Sequence, residues 1–156
     1  MSLRELATDL KFPEGPVAMD DGSVIVVEMG AGRITRVKPD GSKHIVSEPG
    51  GGPNGLAIGP DGALYVCNNG GNFEIHDRDG LMIPGHTPPS HRGGRIERVN
   101  LSTGKVEVVY SECDGEKLQA PNDLVFDEAD GFWFTDHGST NDRFRTHGAL
   151  YYARAD

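Results

Sequence analysis

The chain has 156 residues, 36% of them hydrophobic, which suits one globular domain with a core and is far from a disordered composition. With 24 acids against 15 Lys and Arg the net charge is −9, which argues against the basic face that non-specific nucleic-acid or anionic-membrane binding requires. The N-terminal segment has no apolar signal core, and no run approaches the roughly 18 apolar residues of a membrane span, so a soluble, cytoplasmic protein is expected.

Taken in chain order, the sequence repeats itself. The first unit, "EGPVAMDDGSVIVVEMGAGRITRVKPDGSKHIV", starts at Glu14. The second, "NGLAIGPDGALYVCNN", starts at Asn54 and resumes at Gly93 as "GGRIERVNLSTGKVEVVY". The third, "NDLVFDEADGFWFTDHG", starts at Asn122 and resumes at Gly148 as "GALYYARAD". Each opens with a polar residue and a short apolar strand. A D-G turn follows, at Asp21-Gly22, Asp61-Gly62 and Asp130-Gly131, and then a β-rich strand, at Val24–Val27, Leu64–Cys67 and Phe132–Thr135. After a loop comes a third strand, "GRITRV", "GRIERV" or "GALYYA". The first two units add a turn and a fourth strand; the third stops short of one.

Residue type supports the strand assignments. "RITRV" and "RIERV" alternate polar and apolar residues, as half-buried strands do, whereas "VIVV" and "LYVC" read as strands covered on both faces. No amphipathic helix is evident. Four antiparallel strands recurring about every 40 residues predict an all-β fold, a β-propeller built of four-stranded blades. Blade one is expected over about 12–48, blade two over about 53–112 with a loop insertion at 68–92, and an incomplete blade three over about 121–156. Cys67 and Cys113 form no C-x-x-C pair, so neither a zinc ribbon nor a disulfide framework is indicated, and Cys67 is read as a small core residue.

Glu14, Asn54 and Asn122 occupy one place in their units. Eight residues separate Glu14 from Gly22 and Asn54 from Gly62, and nine separate Asn122 from Gly131. The first strand of a propeller blade lines the central channel, so residues just before it converge at one mouth. A carboxylate and two amides there offer hard oxygen donors of the kind that suit calcium or magnesium, whereas zinc favours histidine and cysteine. Taken singly, Asn-Gly and Asn-Asp are ordinary turn dipeptides.

"FPEGPV", "GPNGLAIGPDGALYVCNN", "GGRIERVNLSTGKVEVVY" and "APNDLVFDEADGFWFTDHG" together resemble the regucalcin/gluconolactonase (senescence marker protein-like) family of six-bladed propeller lactonases. The likeness runs from about Phe12 to Tyr152, and its most specific part is the stretch from Pro121 to Asp136. It implies hydrolysis of a sugar lactone or related ester, a small-molecule substrate, at one divalent ion, calcium first, with magnesium and zinc as alternatives. It further implies Glu14 as a metal ligand, Asn122 as a substrate-binding residue beside or on the metal, and Asn54 on the pocket wall. The family's blade-four Asn and blade-five Asp, the latter its expected base, have no counterpart here, and Ala120 stands where an Arg is common. About three of six blades are accounted for. The chain therefore reads as the N-terminal half of such an enzyme, inactive by itself, and expected to self-associate or pair with a C-terminal half. A non-catalytic metal-binding fragment and a phosphotriesterase-like hydrolase are the alternatives.

Other residues are weighed against the same frame. Asp136 and His137 are candidates for the channel rim, with His137 a candidate substrate contact. The insertion carries His76, His86, His91, Asp77 and Asp79, yet their spacing fits no metal motif, and its prolines suggest an extended loop serving as a lid. Trp133 and Phe134 are expected in the core between blades.

Overall fold

In the computed structural model, which describes residues 3–155, the first unit becomes a sheet of four antiparallel strands in chain order. These are β1 (Pro13–Ala18), β2 (Val24–Glu28), β3 (Arg33–Val37) and β4 (Lys43–Ser47). The second unit gives β5 (Pro53–Ile58), β6 (Leu64–Asn68), a hairpin of β7 (Ile75–Arg78) and β8 (Leu81–Pro84), then β9 (Arg95–Val99) and β10 (Val106–Tyr110). Its main sheet runs β5-β6-β9-β10, with the hairpin between β6 and β9 in sequence. A short ribbon, β11 (Glu112–Cys113) and β12 (Glu116–Lys117), leads into β13 (Pro121–Phe126), β14 (Gly131–Asp136) and β15 (Ala149–Arg154). The protein is all-β, and its three larger sheets are propeller blades, two with four strands and the third with three among the described residues.

The blades share one register more strictly than the sequence suggests. The turn between first and second strands closes through Met19 N–H to Ser23 O, Gly59 N–H to Ala63 O and Asp127 N–H to Gly131 O, each 2.9 Å. The left-handed position in these turns is Gly22, Gly62 and, in the third blade, Asp130 rather than Gly131. Aspartate tolerates that conformation better than most side chains. Asp130 therefore replaces Gly131 as the turn's reference point, and the distance from the opening polar residue is eight in all three blades.

Packing follows the pleat. In β6, Leu64 and Val66 face blade one and join Ile25, Val27, Ile34 and Val99, while Tyr65 and Cys67 face blade three and join Ile96, Phe132 and Phe134. The continuous run "LYVC" is thus buried on both sides, which is why it carries no polar alternation. Phe132 is fully buried among aromatic rings, 5.2 Å from Phe126 and 5.7 Å from Tyr65, worth about 1.5–3 kcal/mol from burial alone. Cys67 is a buried free thiol, and burial pushes its pKa well up, so it behaves as a core residue.

Four sequence expectations need correction. Trp133 is not in the core: it is 45% exposed and packs on Tyr152, because alternation along β14 turns it to the face opposite Phe132 and Phe134. Residues 68–92 are not wholly loop, since β7 and β8 pair across the Asp79-Gly80 turn, both residues left-handed. β3 and β9 are not half-buried, for Thr35 and Glu97 are buried at 2% and 1% exposure. Lastly, the second strands extend one residue past their apolar runs, to Glu28, Asn68 and Asp136, all buried.

Candidate active site

β1, β5 and β13 lie side by side, and each begins with a proline followed by the polar residue singled out from the sequence. Proline has no N–H to give a ladder, so it sits well at the first position of a strand. Immediately afterwards every first strand slips register against its partner, between Glu14 and Val17, Pro53 and Leu56, and Pro121 and Leu124. Such irregularities re-aim side chains. They lift Glu14, Asn54 and Asn122 out of the regular pleat at the same end of the three strands.

The glycines that follow have a steric role. A Cβ on Gly15 would lie 2.6 Å from Asn54 O, and one on Gly55 would lie 2.5 Å from the Asp123 Cα. Only glycine lets neighbouring first strands approach this closely. In "PEG" and "PNG" the third residue is therefore the contact with the next blade, rather than a turn residue. "PND" has Asp123 there, exposed.

The three polar residues do meet. Glu14, Asn54 and Asn122 line one cavity of about 460 Å³ together with Asp123 and His137, and the Asn54 Nδ2 donates to Asn122 Oδ1 at 2.6 Å. Phe12 and Met29 from blade one, with Phe73 and Pro84 from the insertion, supply its apolar wall. His137 stands edge-on to Phe73 at 5.6 Å between ring centres, and its backbone N–H donates to Ala120 O at 2.9 Å. The insertion thus contributes to the cavity, as a lid would. It is stitched to the loop after β14 by Asn72, whose Oδ1 accepts from Thr87 and Ser139 at 3.0 and 2.7 Å.

Asp136 does not line this cavity. Its carboxylate accepts backbone N–H groups of Gln119, Ala120 and Gly138 at 2.8–2.9 Å. Asp123 was missed by sequence reasoning, and its adjacency to Asn122 was the available signal. The histidines of the insertion gather no metal cluster: His86 Nδ1 is 3.0 Å from exposed Asp142, His76 lies 3.8 Å from Glu74, and His91 Nδ1 is 3.4 Å from Gly70 O. Among the described residues no three His, Cys, Asp or Glu side chains are grouped as a metal site. What the cavity does offer is the Glu14 carboxylate and the amide oxygens of Asn54 and Asn122. This donor set suits a hard divalent ion and forms part of a coordination shell, short of the 6–8 oxygens calcium takes.

Blades meeting at a polar channel mouth define the class as a propeller with a small-molecule-sized cavity on its axis side. Residues 12–156 match the family described as SMP-30/Gluconolactonase/LRE-like region, and the chain belongs to that family. It is 26% identical over 152 residues to a gluconolactonase of Zymomonas mobilis, across 87% of this chain and 36% of the relative. Its fold is similar to that of a gluconolactonase from Xanthomonas campestris, with TM-score 0.65 at 19% identity, over 90% of this chain and 43% of that one. A luciferin-regenerating enzyme is similar too, with TM-score 0.61 at 15% identity, over 92% and 45%. The chain spans about a third of the length of the first and less than half of the other two. No helix among the described residues is long and apolar enough to cross a membrane.

Proposed function

We propose that this protein contributes part of the active site of a metal-dependent hydrolase of sugar lactones. The observation that carries this reading is the meeting of Glu14, Asn54 and Asn122, one from each blade at one register, in a single cavity. Family membership supports the lactone as substrate class.

Glu14 and the amide oxygen of Asn122 would hold a divalent ion, calcium by preference, which supplies Lewis-acid polarisation of a carbonyl when bound. Asn54 holds Asn122 through their 2.6 Å hydrogen bond and fixes its orientation. The amides and the His137 ring offer hydrogen bonds to a lactone's ring and hydroxyl oxygens. Phe12, Met29, Phe73 and Pro84 give the lactone ring an apolar wall and limit water on that side.

The test has two arms. Calcium binding to the chain is followed by calorimetry, and Glu14→Gln is expected to weaken it at least about tenfold through loss of the ligand charge. Gluconolactone turnover is then measured with and without calcium, for the chain alone and extended to the length of its relatives. Turnover confined to the extended form supports the proposal; ion binding with no turnover in either form favours a non-catalytic metal-binding role, and phosphotriester turnover alone would overturn the substrate class.

A further inference from the structure

Three buried polar residues sit at one register position that the cavity does not use. Glu28, Asn68 and Asp136 close the second strands, opposite Pro13, Pro53 and Pro121. All three are nearly or fully buried, at 0%, 0% and 5% exposure. A polar side chain at the end of an apolar run needs partners, and each finds them on the same piece of chain. Glu28 Oε2 accepts the Lys11 N–H at 2.9 Å, three residues before Glu14. Asn68 Oδ1 accepts the Gly52 N–H at 3.0 Å, two residues before Asn54. Asp136 accepts the Gln119 and Ala120 N–H groups at 2.8 and 2.9 Å, three and two residues before Asn122.

The physical reason is the proline. Where a strand opens with proline, that rung has no N–H, and the N–H groups just upstream lie outside the ladder and still require acceptors. The side chain across the rung supplies them. The cavity residue is then clamped on both sides: upstream by this side chain, downstream by the regular ladder after the register slip. Two of the three also reach forward: Asp136 accepts the Gly138 N–H at 2.8 Å, which fixes the turn bearing His137, and Asn68 Oδ1 accepts the Gly70 N–H at 2.9 Å.

We infer that Glu28, Asn68 and Asp136 are positioning residues that set where Glu14, Asn54 and Asn122 stand in the cavity. The inference rests on the reading of those three as site residues, but its test does not depend on activity. In ¹⁵N-labelled chain, amide exchange is followed at Lys11, Gly52, Gln119 and Ala120, together with the side-chain NH₂ signals of Asn54 and Asn122. Asp136→Ala is expected to raise exchange at Gln119 and Ala120 about tenfold or more, and to shift both side-chain signals, with Lys11 and Gly52 unchanged. Asp136→Asn, which keeps one carbonyl acceptor, is expected to restore part of both effects. Asn68→Ala is expected to act on Gly52 and Asn54 in the same way.

Phe132→Leu, a destabilising change in the core between blades two and three, is the control. Asn54 and Asn122 signals that stay in place in Asp136→Ala, or move no more than in Phe132→Leu, overturn the inference and leave Asp136 a structural residue. If Asp136→Ala does not fold, Asp136→Asn carries the same decision, since one acceptor cannot serve three N–H groups. The functional reading fails separately: Asn122→Ala that leaves calcium and gluconolactone binding unchanged removes it, whatever Asp136 does.

Discussion

Blades one and two each bury a carboxylate against an arginine that holds the same rung, yet the two pKa values move in opposite directions. In blade one the carboxylate is Glu28 on the second strand, facing Thr35 on the third; in blade two the amide Asn68 takes the second-strand place and Glu97 the third. Arg33 and Arg95 hold equivalent positions, opposite Glu28 and Asn68. Glu28 receives four hydrogen bonds: two from Arg33 at 2.8 and 2.9 Å, one from Thr35 at 2.6 Å and one from Lys11 N–H at 2.9 Å. Burial works to raise its pKa, but these donors outweigh it and bring the carboxyl down from 4.5 to about 2. Glu97 receives two, from Arg95 at 2.5 Å and Asn68 at 2.9 Å, and here burial wins, so its pKa is raised. One arginine does not set the direction of the shift for a buried acid; the balance between burial and the donors converging on it does. Blade three has no arginine at this rung: Ala149 stands opposite Asp136, and backbone N–H groups bond its carboxylate instead.

The comparison can be broken most forcefully at Arg33. Arg33→Ala leaves Glu28 buried with its strongest donor gone and is expected to cost about 3 kcal/mol in a urea titration, the range seen when one partner of a buried pair is removed. Glu28→Gln keeps the shape but loses the charge-assisted bonds and should cost about 2–3 kcal/mol at neutral pH. Glu97→Gln is expected to cost under about 1 kcal/mol, or to stabilise, because it removes a charge that burial already disfavours. Equal losses for the two glutamine variants would end the distinction.

The smallest effect is the most diagnostic. Glu28, with a lowered folded pKa, contributes stability that is full above pH 4.5 and lost as pH falls through about 2. Glu97, with a raised folded pKa, contributes stability that is full below 4.5 and lost as pH rises through its raised value. Thermal melts between pH 7 and 4.5 should therefore show a gain on acidification that disappears in Glu97→Gln and persists in Glu28→Gln.

Much of this architecture was legible in the chain. The repeat of apolar strand, D-G turn and β-branched strand gave the blades, because alternation and turn chemistry are local properties. The equivalence of Glu14, Asn54 and Asn122 was legible for the same reason, since it follows from counting residues to a turn. Asp130 hid the strictness of that count: the rule that a left-handed turn position belongs to glycine pointed to Gly131. Trp133 was misplaced because an aromatic in an apolar run reads as core, and only the neighbouring sheet decides which face of a strand is covered.

The sequence by itself determined the strands, their blade repeat and the three polar residues at one mouth, because these depend on neighbours within a few positions. Only the tertiary structure decided that "PEG" and "PNG" are close contacts between blades, that Asn54 donates to Asn122, and that Glu28, Asn68 and Asp136 turn inward to hold the chain before each proline. Those facts depend on residues up to 68 positions apart being brought into contact, and no local pattern records such distances.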